Sequence, residues 1–501
     1  MKKSLVAVGV IVALGVAWTG AAWFTGKQLE QRIEDAVSEA NRQIKATAPD
    51  AGLTLEYANY QRHVFSSRLQ IIAKPDTGAQ SSWLKPGQSV VLDETVDHGP
   101  FPFAQLKKFT LIPSMASVHT QLAQNETTKA LFEMAKGQSL INIDTRVGYS
   151  GATSSDIALR PLEYSKGKDK MAFSGGNFTA NVDSKGNHLT LKGEADSGLV
   201  SMPNEYGQQV LVTFNGLKTD GETEVSAFQE RTGSQKLSLE KLSLAVEGKE
   251  MAQLQGLKIN AQSAPDADGK HLNGEINYTL DSLRMQNQDM GQGALTLKVS
   301  KLDGAAAHQF SQRYNDSLQA LKAQPGITDD PQLYQEKAID AFFTNLPLLL
   351  KGEPVVTVAP LSWKNSKGEG SLTLSLFLKE PAARNPGSAI KSLDGKLTIP
   401  LAMATELMTQ VAKIEGYQQD EANKLASQQV KGIAAMGQMF RLTTVENDAI
   451  STSLQYSGGM ATLNGQQLPL EQLLGIFGLT PPDNDAQPEE APEPPFLSPQ
   501  P

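Results

Sequence analysis

Asp97 and His98 stand side by side in the stretch Val96-Asp97-His98-Gly99-Pro100-Phe101-Pro102. A carboxylate that holds an imidazole is the arrangement by which acid–base catalysis orients and activates its base. Such chemistry requires the two side chains to meet. If residues 90–98 form one strand, alternate residues share a face. His98 then lies with Val90, Leu92 and Val96, while Asp93, Thr95 and Asp97 point the other way. The neighbours therefore do not form a dyad. Pro100 and Pro102 push Gly99 and Phe101 away from helical backbone. Asp97, His98, Gly99, Pro100, Phe101 and Pro102 accordingly read as a rigid strand exit that aims Phe101 and Phe103 inward, and no catalytic residue is assigned.

The other chemistry-bearing residues are scattered. Histidines 63, 98, 119, 188, 271 and 308 include no pair at metal-ligand spacing, and cysteine is absent. The lack of cysteine excludes disulfides, thiolate catalysis and thiolate-bound zinc. There is no GxSxG elbow, P-loop, dinucleotide-binding glycine motif or HExxH. No metal, no cofactor and no enzymatic activity is expected. Lys plus Arg total 45 against 54 Asp plus Glu, a net charge of −9, with no basic cluster to attract nucleic acid. Met403, Met408, Met436 and Met439 suit either an adaptable apolar binding surface or plain core, and core is the expectation.

The elements that position these residues begin with a membrane signal. Lys2 and Lys3 precede an uncharged stretch from Ser4 to Phe24, 21 residues long. As a helix that length crosses a hydrocarbon core of about 30 Å. Trp18 and Trp23 suit the outer interface, and the lysines keep the start of the chain in the cytoplasm. Gly20-Ala21-Ala22 offers a signal-peptidase site, but the run exceeds a usual signal core. Residues 1–26 are therefore read as an uncleaved inner-membrane anchor with a periplasmic body. Residues 27–48 form an amphipathic helix with a stripe at Leu29, Ile33, Val37, Ala40 and Ile44. That stripe packs on the body or, through residues 27–46, pairs with a second copy.

From residue 53 the hydrophobic period changes to two. Segments such as LTLEYANY, RLQIIAK, QSVVLDETV and KLSLEKLSLAVEG alternate apolar with polar residues, separated by turn signals. Asn187 and Gly186 mark the tip of one hairpin. Two helical pairs interrupt the strands near 305–350, where Pro347 should end a helix, and near 401–440, divided at Gly416. On the second pair the expected apolar stripe includes Met403, Leu407, Val411 and Ile414, then Leu425, Ile433, Met436 and Phe440. LEQLLGIFG reads as a short closing helix. Residues 480–501 hold eight prolines and five acids and should be disordered. The fold class expected is α+β: a large curved antiparallel sheet over 49–479, two helical-hairpin insertions and one N-terminal transmembrane helix.

The lysine-led anchor, NYQRHVFSS, VDHGPFP and the closing LNGQQLPLEQLLGIF together resemble the YdgA family of uncharacterised bacterial envelope proteins. His63 stands where that pattern, Y-x-R-G-x-F, carries glycine. The resemblance implies an inner-membrane anchor and a periplasmic body, and it supplies no catalytic residues. Three functions follow in order: a non-enzymatic binding or scaffold protein with a lipid or envelope-protein partner; a lipid-handling protein similar to the AsmA-like group, with an apolar trough for acyl chains; and an envelope hydrolase.

Overall fold

The structure, a computed structural model, describes residues 34–469 except 35–36, 43, 46–50, 64–65, 78–82, 99–101, 323, 325, 328–329 and 381–388. The expected membrane helix, the closing helix at 470–478 and the acidic tail lie outside the described residues. Among the described residues no helix is long and apolar enough to cross a membrane.

One antiparallel sheet runs through the body. Strands β1 (Leu53–Arg62), β2 (Ser66–Pro75), β3 (Val90–His98), β4 (Ala116–Leu122), β5 (Ile141–Val147) and β6 (Thr153–Leu159) follow as neighbours. A hairpin of β7 (Leu162–Lys166) and β8 (Asp169–Phe173) then leaves the sequence order, so β6 pairs instead with β9 (Gly176–Val182). Both β8 and β9 pair with the same edge of β10 (His188–Pro203). From there the meander resumes through β11 (Gln209–Val225), β12 (Arg231–Val246), β13 (Lys249–Pro265), β14 (His271–Met285) and β15 (Gln288–Asp303). It continues through β16 (Val355–Asn365), β17 (Gly368–Leu378) and β18 (Ile390–Pro400) to β20 (Ala449–Ser457), and short strands β19 (Thr444–Glu446), β21 (Met460–Leu463) and β22 (Gln466–Pro469) close it.

Strands β10 to β15 are 15 to 17 residues each, roughly 50 Å at about 3.3 Å per residue. Their apolar alternation steps by three rather than two between Phe214 and Leu217 and between Leu254 and Leu257. Gly216 and Gly256 sit at those steps with φ +65° and +64°, backbone that a side chain strongly disfavours.

The helical insertions are present as hairpins. In the first, α4 (Gly304–Lys322) and α5 (Pro331–Leu349) share an aromatic cluster, with Phe310 5.6 Å from Tyr314 and 5.5 Å from Phe342 between ring centroids. Asp330 caps α5 by accepting from the Gln332 and Leu333 amides. Pro347 does not end that helix, which continues to Leu349. A proline in the last turn removes a single hydrogen bond there, which neighbouring packing tolerates.

In the second hairpin, α6 (Leu401–Ile414) and α7 (Gln419–Met439) meet through Ala422, Ala426, Val430 and Ala434, all buried. The expected stripe is corrected here: Ile433, Met436 and Phe440 are 56%, 56% and 61% exposed. Small side chains at intervals of four let the helices approach closely and turn the large ones outward. Met436 and Met439 are likewise surface, while Met403 is buried against Gly370 of β17.

The core lies under β1 to β6. A first helix, α1, whose described residues fall between 34 and 45, covers it with Val37, Ala40 and Ile44, and α3 (Lys129–Met134) adds Phe132. The Asn41 side chain fixes the roof by donating to the Leu55 carbonyl and accepting from the Leu55 amide, 3.0 and 2.7 Å. Three residues of the amphipathic stripe thus bury their apolar surface in the chain's own core.

Candidate functional site: an open apolar sheet face

The VDHGPFP stretch ends its strand at His98. Gly99, Pro100 and Phe101 lie outside the described residues, and Pro102 is buried just before α2 (Phe103–Lys107). The Asp97 carboxylate accepts from the Ala104 amide at 2.9 Å, so it engages one of the donors that a helix start leaves open. Burial holds the His98 imidazole below its usual pKa, Arg62 lowers it further, and Asp97 opposes them. Asp97→Ala is expected to cost about 1 kcal/mol and to loosen residues 103–107, measured as faster amide exchange at Ala104. His63 is exposed and closes the β1–β2 turn by donating its amide to Ser66 O at 2.7 Å.

Two acid clusters flank the β3–β4 pair on opposite faces. Outward, Asp144 binds His119 Nδ1 and Lys108 Nζ, each at 2.7 Å. The hydrogen bond to His119 holds the Asp144 pKa down to about 2, and that to Asp144 raises His119. Asp144→Asn should therefore return the His119 titration toward the ordinary imidazole range, read by its ring-proton NMR shifts; an unmoved titration would show the contact to be unimportant.

Inward, Glu94 lies on the apolar face of β3, 2% exposed, and accepts from Thr120 Oγ1 at 2.6 Å. Burial raises its pKa to about 7 against the lowering effect of Thr120. That value suits a general acid, but no substrate reaches a carboxyl sealed in the core. The signal was present in VVLDETV, where strict alternation places Glu94 with Leu92 and Val96. Reading outward from His98 missed it. Among the described residues no group of three or more His, Asp or Glu side chains could hold a metal ion.

The row containing Glu94 crosses most of the sheet. Cross-strand partners share a face, and the register runs Glu94, Thr120, Ile143, Ile157, Phe178, Gly193. It continues through Thr219, Leu237, Ile259, Tyr278, Leu295, Leu361, Leu372 and Leu397. The adjacent row adds Ala261, Ile276, Leu297, Val358 and Leu374. Phe178 marks the transition between the covered and uncovered parts, its ring lying where a Cβ on Gly193 would stand.

Cover distinguishes the two halves of this face. Ile143 and Ile157 are 1% and 3% exposed beneath α1 and α3, whereas Leu237 and Leu361 are 39% and 43% exposed. Ile259, Tyr278, Ile276, Leu295, Leu297 and Leu374 are all only partly buried. From β11 to β18 the face spans about 34 Å at roughly 4.8 Å per strand. Helix α6 lies over part of its β15–β18 end, with Met403 against Gly370. The rest of two rows still makes several hundred Å2, comparable with the largest apolar patches that monomers leave exposed. The reverse face is polar: Lys192–Asp220 and Lys298–Glu275 pair at 3.3 and 3.1 Å, and Thr296 donates to Asn277 at 2.7 Å. A 670 Å3 hollow also lies on that side, beside Glu222, Ser234, Gln262, Glu275 and Lys298.

The family model described as "Bacterial protein of unknown function (DUF945)" matches residues 1–471. The chain is 58% identical to Protein YdgA of Escherichia coli K12 over 96% of its own length and 97% of that protein's. It is 31% identical to the uncharacterised protein YihF of the same organism, over 95% and 99% of the two chains. An uncharacterised protein of Haemophilus influenzae is 26% identical over 55% of this chain and 79% of its own. No solved structure matches. With the family model covering residues 1–471 and YdgA matching nearly the whole of both chains, the chain belongs to the YdgA family, the bacterial DUF945 proteins.

Proposed function

We propose that this protein is an envelope protein, anchored in the inner membrane through residues 4–24 with its body in the periplasm, that binds the acyl chains of a lipid along the uncovered face of its long sheet. The observation that carries the reading is the contrast within one register row, sealed by helices as far as Ile157 and exposed at Leu237 and Leu361 beyond it. A soluble sheet that buried nothing there would alternate with polar residues on both faces. Here one face is apolar and the other carries the charges, so the first needs an apolar occupant. Binding of this kind needs no catalytic residue. VDHGPFP then serves the architecture, ending β3 and starting α2 through Asp97.

Purification of the intact chain in mild detergent, followed by mass spectrometry of extracted lipid, tests the reading. Stoichiometric phospholipid that survives detergent exchange is expected. A preparation free of lipid, with a protein cross-linked at Leu237 or Leu361 instead, would favour the scaffold function.

A further inference from the structure

From the last turn of α2 toward β4 the chain turns Leu106, Phe109, Leu111 and Ile112 toward solvent, at 38%, 92%, 72% and 56% exposure. Exposed apolar residues are ordinarily scattered singly; four within seven positions form a tip. The tip is braced. Phe109 N and Lys108 N donate to the carbonyls of Leu106 and Gln105, 3.0 and 3.1 Å, and the buried Gln105 side chain donates to Ser117 Oγ at 3.1 Å. Ser114 Oγ donates to the Ile112 carbonyl, and Lys108 is tied to Asp144. Phe109 holds φ +55°, left-handed backbone that is unfavourable for a bulky side chain. The fold thus presents the most exposed aromatic ring among the described residues from a firm base at the expense of local strain.

The direction of the chain identifies what the tip faces. Leu53 pairs with Pro75 at one end of β1 and β2, and Arg62 pairs with Ser67 at the other, where Ser66 meets Asp97 of β3. Helix α1 bonds Leu55 through Asn41 and reaches Asp76 through Lys45 at 3.3 Å, so its carboxyl end lies at the Leu53 end. Its amino end points toward the Arg62–Asp97 end, from which the tip projects. Only nine residues lie between Phe24 and Glu34, at most about 35 Å of chain. Exposed Lys107 and Arg62 border that end, the charge that suits anionic headgroups.

We infer that residues 106–112 form a second membrane contact, with Phe109, Leu111 and Ile112 inserted into the bilayer interface beside the anchor. The inference rests on the anchored reading and adds a fixed orientation to it: the β3 exit faces the bilayer, while the β10–β11 turn at Tyr206, which lies at the other end of the strands, stands away from it.

The natural absence of cysteine permits a clean test. Leu111→Cys and, separately, Tyr206→Cys are made in the full-length chain, labelled with an environment-sensitive dye and reconstituted into phosphatidylethanolamine–phosphatidylglycerol vesicles. At position 111 the emission should shift to the blue and be quenched several-fold more by acyl-chain spin labels than at 206, which is 87% exposed. Phe109→Ser in the Leu111→Cys chain should reduce that quenching. Vesicle flotation is measured on the same samples. A chain that floats with its 111 label fully open to aqueous iodide overturns the inference and leaves the anchor standing; a chain that does not float overturns both. A label shielded from iodide and from lipid quenchers alike would assign the tip to a protein partner and also defeat the proposal.

Discussion

At pH 8 the Glu94→Gln protein should be about 2 kcal/mol more stable than the unmodified chain, and the advantage should be gone near pH 4.5. The folded-state pKa of Glu94, about 7, exceeds its ordinary value of 4.5. The native state therefore holds a proton that the unfolded chain releases between those values. For a group raised in this way, stability is fully present below pH 4.5, falls as pH rises through 7 and is constant beyond. A shift of this size corresponds to roughly 3 kcal/mol. Glutamine keeps an acceptor for Thr120 Oγ1 but brings a second N–H, and one unsatisfied donor would cost about 1 kcal/mol. Asp144 acts in the opposite sense, since its lowered pKa removes stability only as pH falls from 3.8 toward 2. The two windows do not overlap. Urea midpoints of both proteins measured from pH 5 to pH 8 decide the matter: parallel curves would mean that Glu94 titrates normally and that the core around it is wet.

Glu94 also shows what the sequence discloses and what it conceals. The alternation that predicts β3 contains it in plain view, because a strand's two faces follow from parity alone. The same rule makes most strands legible, along with both helical hairpins. Parity does not reveal which strand lies beside which. The hairpin of β7 and β8 diverts β6 onto β9, and the sequence between 153 and 182 reads the same with or without that detour. Nor does periodicity distinguish a covered apolar face from an open one. Ile143 and Leu237 look alike in a window of nine residues, and only the placement of α1 and α3 separates them. Helix α7 misleads for a related reason: its large side chains suggest a core face, while Ala422, Ala426 and Ala434 make the contact because small residues allow close packing. The tip at Phe109 is a run of apolar residues between a helix and a strand, and its exposure follows from the left-handed turn at Phe109.

Replacing Leu237 and Leu361 together by aspartate should remove bound phospholipid, at least tenfold by lipid phosphorus per protein, while leaving the fold intact. Both residues occupy the row that begins at Glu94, and both are more than a third exposed. A carboxylate at such a site keeps much of its hydration, so the penalty on folding is far below the several kcal/mol of burying a charge. An acyl chain laid over the row would strip that hydration away, so the penalty falls on binding instead. Ile143→Asp on the same row supplies the contrast. At 1% exposure beneath α1 and α3, it buries a charge in the folded state itself and should unfold the protein or leave it insoluble. The paired outcomes separate a ligand face from a core face by the same substitution at different positions of one register. Circular dichroism and lipid analysis on the Leu237→Asp/Leu361→Asp chain are the deciding measurements. If lipid remains at the unmodified level in a folded variant, the acyl chains lie elsewhere and the uncovered rows serve a protein partner.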